Sequence, residues 1–256
     1  MPIDARFPDL AGASVFITGG GAGIGATLTE AFLAQGAKVA FVQRSDATGF
    51  VAAMGQTYGQ SPLFLPCDVT DIAALKAAIG QAALAHGPVT VLVSNAANDS
   101  RHSTTDMTVA DWDQNQAVNL RPYFFATQAV VPGMIAAGGG AIVNLSSVSY
   151  MMGNAGYPSY VAANAAITGL TRAHAREFGA DNIRVNALMP GWVVTERQQR
   201  LWMSESALAE TMHRQCLKRV IQPADIVGGA LFLASSVSAM MTGQALVIDG
   251  GVVVTG

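Results

Sequence analysis

The chain has 256 residues, a formal charge of −3, 51% hydrophobic residues and 12% charged residues. This length fits one large α/β domain spanning residues 1–256, which can bury a core without disulfides or metals. The acidic balance and the lack of Lys/Arg runs disfavour nucleic-acid binding, and no run reaches the ~20 apolar residues of a membrane span.

The first ten residues and the two cysteines bear on location. Residues 1–10 contain charged side chains and no apolar core, so we expect no secretory signal. Cys67 and Cys216 lack metal-type spacing, so we expect no metal site. One disulfide between them is a possible arrangement, but buried or partly buried thiols in a reducing cytoplasm are the favoured interpretation.

Seven short apolar runs alternate with helix-length segments. Most of the runs are continuous, which is typical of strands covered on both faces. The strands are predicted at 14–18, 38–42, 63–66, 89–94, 141–145, 183–188 and 245–248, and helices at 24–35, 71–86, 109–133, 157–179 and 223–235. This alternation predicts a Rossmann fold, a doubly wound three-layer structure with a seven-stranded parallel sheet flanked by helices.

Local residues mark several helix ends. Thr108 precedes a capping-box-like start, and Pro223 suits the first turn of a helix. Gly36, Gly87 and Gly179 stand where helices should stop.

The segment 191–223 has no predicted strand, and we expect residues 191–222 to form a substrate lid. Its aromatic and amide side chains suit a sugar ring, although core packing explains the tryptophans equally well. The candidates are Trp192, Gln198, Gln199, Trp202 and Met203.

A glycine-rich turn, Thr18 to Gly25, lies between the first predicted strand and the first predicted helix. Glycines there let the backbone approach a pyrophosphate, which the free N–H groups of the next helix can hold. This context indicates dinucleotide binding rather than an ordinary tight turn. The predicted contacts are Gly19, Gly21, Gly23, Ile24 and Gly25.

The next two strand ends bear on the choice of cofactor. Gln43 stands where an NAD-selective site usually has a carboxylate, and Arg44 follows it. A guanidinium suits a 2′-phosphate, so NADP is favoured, with NAD possible if Asp46 reaches the ribose. Asp68, followed by Val69, could accept from the adenine amino group or cap the helix near residue 71.

Together these motifs resemble the short-chain dehydrogenase/reductase family over essentially the whole chain. The matching features, in the family's order and spacing, are the glycine turn, Asn95-Ala96, Asn119, Ser147, Tyr160 and Pro190-Gly191. The stretches 98–102, 138–141 and 214–218 are similar to bacterial sugar 1-dehydrogenases of the D-xylose type.

The resemblance implies hydride transfer between a nicotinamide and a carbon that bears a hydroxyl or carbonyl. It implies that Tyr160 exchanges the proton, that Ser147 binds the substrate oxygen and that Asn119 holds a water in a proton relay. Further implied cofactor contacts are Asn95, Ala96, Ala97, Tyr160, Asn164, Pro190, Gly191 and Val193. Implied substrate contacts are Asn98, Ser147, Ser149, Tyr160 and Trp192.

The family also implies a homotetramer. Four residues at helical spacing in the segment 157–179 offer a small apolar face for a partner subunit. They are Ala163, Ile167, Leu170 and Ala173. The same face could instead pack on the sheet.

One position departs from the family at the centre of its chemistry. The family has lysine four residues after the tyrosine, where this chain has Asn164. The spacing places both side chains on one helical face, and in the family the ammonium lowers the tyrosine pKa. Since Asn164 is uncharged, we expect slow oxidation near neutral pH, with ribose binding as its remaining role.

Three explanations of Asn164 remain open. The lysine was removed by design, or the enzyme uses another cation or high pH, or the chain is a dinucleotide-binding protein with little or no turnover. Arg101 and His102 could supply charge, or be solvated, or contact a sugar hydroxyl. Ala97, where the family commonly has glycine, could also shift the cofactor.

Overall fold

The computed structural model describes residues 5–254. The expectation of no secretory signal in residues 1–10 therefore rests partly on residues outside the described range. The strands form one seven-stranded parallel sheet, as predicted, and their order in it is β3-β2-β1-β4-β5-β6-β7. They are β1 (Ser14–Thr18), β2 (Lys38–Gln43), β3 (Leu63–Pro66), β4 (Val91–Ser94), β5 (Gly140–Leu145), β6 (Ile183–Pro190) and β7 (Ala245–Ile248).

Helices cover both faces of the sheet, which confirms the doubly wound Rossmann fold. They are α1 (Gly23–Ala34), α2 (Thr48–Tyr58), α3 (Ile72–His86), α4 (Val109–Asn119), α5 (Arg121–Ala136), α6 (Ser149–Met152), α7 (Pro158–Phe178), α8 (Glu196–Leu201), α9 (Glu205–Arg214) and α10 (Pro223–Ala234). One apolar core lies between the sheet and α1, α2 and α10. The other lies between the sheet and α3, α5 and α7.

Most of the predicted helix ends are confirmed. Thr108 Oγ1 accepts a hydrogen bond from Asp111 N at 3.1 Å, and Pro223 begins α10. Gly36 and Gly87 follow α1 and α3 with φ of +80° and +89°, a conformation that glycine adopts at little cost.

One helix prediction was wrong in detail. The segment 109–133 is two helices, because Pro122 has no N–H for an i−4 hydrogen bond. Helix α7 ends at Phe178, immediately before Gly179 as predicted, although Gly179 keeps a right-handed φ of −62° and begins a 3₁₀ turn. The left-handed residue that ends this turn is Asn182, with φ of +59°.

The apolar face predicted on α7 belongs mainly to the core. Ala163 and Ile167 are buried within the chain itself, so they are not available to a partner subunit. Ala173 on the same helix is exposed. The packing of α7 on β6 explains the two buried residues.

The cysteines are free thiols, so the disulfide alternative is wrong. Cys67 is buried as expected, whereas Cys216 is exposed. Over residues 5–254, no helix combines the length and hydropathy that crossing a bilayer requires. Nor does that part of the chain group three side chains of the kind that ligate metals.

Candidate active site

A cavity of about 2230 Å³ opens at the carboxyl ends of the strands. It exceeds the ~300–1,000 Å³ of a typical small-ligand pocket, so it has room for a dinucleotide and a second molecule. Every predicted cofactor and substrate residue lines it, as do Ser147, Tyr160 and Asn164. Asn119 is the exception among the predicted site residues.

The glycine turn forms one end of this cavity. Gly19 and Gly23 have φ of +71° and +54°, and a side chain on Gly25 would overlap the carbonyl oxygen of Gly19. Asn95 Nδ2 donates to the carbonyl oxygens of Thr18 and Gly19 at 3.0 and 3.1 Å. The turn is therefore a fixed cradle that a Cβ would fill, and it fits the phosphates of a dinucleotide.

The end of β2 contributes Gln43 and the cation Arg44 to the cavity wall. Gln43 Oε1 accepts from Gly21 N at 2.9 Å, and its Nε2 donates to Ser45 O at 3.0 Å, so its polar atoms are occupied. The side chain of Arg44 is 76% exposed and lies 3.7 Å from Asp68. Arg44 can therefore turn toward a phosphate at small cost.

The structure contradicts the predicted capping of α3 by Asp68, and it places Asp46 outside the cavity lining. Asp68 does not cap α3, because Asp71 does so by accepting from Ala74 N at 2.9 Å. Asp68 accepts instead from Thr70 N at 2.9 Å and remains on the cavity wall. Asp46 bonds to Thr48 N at 3.1 Å, at the start of α2, and lies outside the cavity lining.

Tyr160 lies in the first turn of α7, which starts at Pro158, and faces the end of β5. There Ser146 Oγ donates to Asn164 O at 2.9 Å and is buried, which matches its expected structural role. Ser147 Oγ accepts from Ser149 N at 3.1 Å and keeps its own proton for another acceptor.

The surroundings of Tyr160 hold its phenol neutral. Burial, together with the negative charge of Asp99, raises the pKa of Tyr160 to about 12, although the Asn164 and Ser147 side chains act in the opposite direction. Within residues 5–254, no cation is among the groups that shift this pKa. Neither Arg101 nor His102 is among those groups.

Asn164 is buried and lines the cavity below Tyr160. Its Nδ2 donates to the Tyr160 carbonyl oxygen at 2.9 Å, one helical turn earlier. The amide is thus engaged within its own helix, and it carries no net charge.

Asn119 is buried outside the cavity and holds a loop. Its Oδ1 accepts from Asn98 N at 2.7 Å, and its Nδ2 donates to Asn98 O at 3.0 Å and Asn115 Oδ1 at 3.1 Å. These bonds engage both protons of Nδ2 and one lone pair of Oδ1. The side chain of Asn119 therefore fixes the loop that follows β4, and its role in a proton relay stays a prediction.

That loop meets the predicted lid through contacts that sequence reasoning missed. Arg197 Nη2 lies 3.2 Å from Asp99 Oδ1, and Gln198 Nε2 donates to Asp99 Oδ2 at 2.7 Å. Trp192, Gln198, Gln199 and Trp202 line the cavity as expected, but Met203 does not. The residues that meet are about a hundred positions apart, so neither spacing nor composition could pair them.

Residues 19–253 match the family model described as Enoyl-(Acyl carrier protein) reductase. The "Probable galactose dehydrogenase GalD" of Rhizobium meliloti (strain 1021) is 48% identical over 97% of this chain and 98% of its own. The D-xylose 1-dehydrogenase of Caulobacter vibrioides is 43% identical over 96% and 98%. A mutant short-chain dehydrogenase/reductase of Serratia marcescens superposes with a TM-score of 0.88 at 31% identity, covering 95% of this chain and 99% of its own.

The chain belongs to the short-chain dehydrogenase/reductase family. It is an oxidoreductase of that family, and fold and family together imply a nicotinamide dinucleotide as cofactor. The resemblance to bacterial sugar dehydrogenases is confirmed by the first two relatives. The roles of individual residues in this short-chain dehydrogenase/reductase, Asn164 included, remain predictions.

Proposed function

We propose that this short-chain dehydrogenase/reductase oxidises a sugar or related polyol, or reduces the corresponding carbonyl compound, with NADP preferred over NAD. The observation that carries the proposal is a single cavity that holds the glycine cradle, Ser147 and Tyr160 together. The names of the two relatives favour a sugar as the substrate class.

The proton chemistry is assigned to side chains of the cavity. When bound, the nicotinamide supplies or accepts the hydride. Tyr160 Oη takes the hydroxyl proton in oxidation and returns it in reduction, and the Ser147 hydroxyl donates a hydrogen bond to the reacting oxygen. Asn164 holds the first turn of α7 and offers an uncharged amide where the family has an ammonium.

The pKa of Tyr160 sets the direction that runs well near neutral pH. A phenol with a pKa of about 12 is almost wholly protonated at pH 7. It is therefore ready to donate in carbonyl reduction and rarely ready to accept in alcohol oxidation. We infer that turnover is impaired in the oxidative direction.

The cofactor preference rests on the end of β2. Gln43 is committed to the glycine turn, so no carboxylate on this strand end accepts from a ribose 2′-hydroxyl. Arg44 is exposed on the cavity wall and carries the charge that a 2′-phosphate needs.

Substrate contact is assigned to the inner wall and the lid, residues 191–222. Ser149 Oγ is buried and has no hydrogen-bond partner within the described residues, so it is available to a substrate hydroxyl. Trp192 donates from Nε1 to Gln198 Oε1 at 2.8 Å and presents its ring to the cavity. Ala97 and Asn98 line the same wall. The homotetramer and the cytoplasmic location stay predictions.

A panel of sugars and polyols tests the proposal. Purified protein is mixed with NADP or NAD and each compound from pH 7 to 10, and nicotinamide absorbance is followed. We expect oxidation of at least one sugar, faster with NADP and at high pH. Cofactor binding without any substrate-dependent signal would contradict the proposal.

A second candidate is a dinucleotide-binding protein with little or no turnover. It is favoured by Asn164 and by the lack of a cation among the described groups that shift the Tyr160 pKa. The two candidates share cofactor binding and differ in whether a charge restored at position 164 produces turnover.

A further inference from the structure

Asp99 is a carboxylate on the wall of the reaction cavity to which the proposed chemistry assigns no role, although it lies in the stretch 98–102 that resembles sugar 1-dehydrogenases. It follows Asn98 in the loop after β4, and its side chain is 17% exposed. It lines the same cavity as Tyr160, and its charge raises the pKa of Tyr160, so it lies near the reacting phenol. A partly buried carboxylate at such a position needs a reason.

The lid holds this carboxylate in place. Gln198 Nε2 donates to Asp99 Oδ2 at 2.7 Å, and Arg197 Nη2 lies 3.2 Å from Asp99 Oδ1. Gln198 Oε1 in turn accepts from Trp192 Nε1 at 2.8 Å. On the opposite side, Asn119 clamps both backbone polar atoms of Asn98. The carboxylate is thus fixed from the lid and from α4.

Each carboxylate oxygen has two lone pairs; Gln198 donates to one oxygen of Asp99, and Arg197 forms an ion pair with the other. Acceptor capacity therefore remains on a charged group that is held in place and lines the same cavity as the phenol. Hydroxyl groups are the donors that a sugar carries in number, and a hydrogen bond to a carboxylate is stronger than one to a neutral acceptor.

We propose that Asp99 determines substrate specificity by accepting a hydrogen bond from a substrate hydroxyl other than the one that reacts. This inference rests on the proposed function, since it assumes a polyhydroxylated substrate. The same carboxylate would also affect the reaction, because the negative charge that binds the substrate hydroxyl disfavours the ionised form of Tyr160.

The other charged groups near Tyr160 are engaged elsewhere. The guanidinium of Arg101 lies 3.7 Å from the ring centroid of Tyr157 and 5.0 Å from that of Trp202. His102 Nε2 shares a hydrogen bond of 2.7 Å with Ser159 Oγ, at the start of α7. Among the described residues, Asp99 is the charged side chain that shifts the pKa of Tyr160 most.

The test compares the native chain and Asp99→Asn, each with a sugar that binds and with the deoxy analogues of that sugar. Binding of each sugar in the presence of NADP is measured by calorimetry, and kcat and KM are measured from pH 7 to 10. The matched control is Asp106→Asn, because Asp106 also lines the cavity but is not among the groups that shift the Tyr160 pKa.

We expect Asp99→Asn to weaken binding of the parent sugar about tenfold or more. One deoxy analogue should bind both proteins equally, which identifies the hydroxyl that Asp99 reads. The same variant should raise kcat for oxidation below pH 10, because losing the negative charge lowers the pKa of Tyr160. This pH shift follows from the loss of charge alone, so the deoxy analogue, rather than the pH profile, separates hydroxyl binding from a merely structural role for Asp99.

Two failures are distinguishable. If a sugar binds but Asp99→Asn binds it and all its deoxy analogues as the native chain does, the inference about Asp99 is overturned and the proposed function stands. If no sugar binds although NADP does, the proposed function fails and takes this inference with it.

Discussion

The two ends of the cavity obey different physical requirements. The cofactor end depends on shape, since Gly19 and Gly23 take positive φ and Gly25 leaves no room for a side chain. The chemical end depends on charge, since Tyr160 must lose and regain a proton. Sequence and structure agree with the family's pattern at the first end, whereas Asn164 departs from it at the second.

This difference teaches that binding and turnover are separable in this fold. A glycine cradle binds a dinucleotide whether or not a catalytic base is present, because binding depends on backbone N–H groups and on space left by the missing side chains. A tyrosine base needs an electrostatic field that stabilises its anion, and here burial and Asp99 act against that anion. The chain is therefore expected to bind cofactor well and to oxidise slowly.

The largest expected effect is the dependence of sugar oxidation on pH. Below a pKa of about 12, the ionised fraction of Tyr160 rises tenfold for each unit of pH. We therefore expect kcat/KM for oxidation to rise about a thousandfold between pH 7 and pH 10, while carbonyl reduction stays flat. Steady-state kinetics in both directions measure this, with circular dichroism at each pH as a control for folding. A plateau in oxidation below pH 9 would show that Tyr160 is a stronger acid than its surroundings indicate.

Asn164→Lys tests the missing charge directly. A cation within about 4–6 Å lowers the pKa of an acid by about 1–3 units, so oxidation at pH 7 should rise about ten- to a thousandfold. The rise should persist at pH 10, because a native phenol with a pKa of about 12 is still largely protonated there, and it should shrink only as far as the phenol of the variant is itself already ionised. Steady-state kinetics at pH 7 and pH 10 provide the measurement.

The matched control is Asn164→Met, which has a side chain of lysine's length without its charge. Both variants lose the hydrogen bond from Asn164 Nδ2 to Tyr160 O, so only charge separates them. Equal activity of the two would contradict the electrostatic account. An inactive Asn164→Lys that still binds NADP would favour the dinucleotide-binding protein.

The sheet was predictable because its strands are short apolar runs separated by glycine and helix-cap signals. Each strand end differs from its predicted position by no more than two residues. One predicted helix was wrong, because Pro122 divides the segment 109–133 into α4 and α5. Helix α2 was not predicted; it follows a loop in which Thr48 N donates to Asp46 Oδ1.

The residues predicted to bind the cofactor line one cavity because they are consecutive in one turn or stand at strand ends, which parallel topology brings to one edge. The contacts of Asp99 with Arg197 and Gln198 were not predictable, since they join two loops distant in sequence. The side-chain role of Asn119 was also hidden, because a motif gives a residue's place and not its hydrogen bonds. The sequence position of a residue predicted whether it lines the cavity, whereas its hydrogen-bond partners were visible only in the structure.

The smallest expected effect concerns Arg44 at the cofactor end. Arg44→Ala should weaken NADP binding about tenfold and leave NAD binding nearly unchanged, because the 2′-phosphate loses a charge-assisted hydrogen bond. The effect is limited because the Arg44 side chain is 76% exposed and its charge is screened by salt. Fluorescence titration with both cofactors at two salt concentrations measures it, and Arg172→Ala, an exposed arginine on α7 outside the cavity lining, is the control. If both arginine variants bind NADP alike, the end of β2 does not read the 2′-phosphate, and the shape of the cradle alone accounts for cofactor binding.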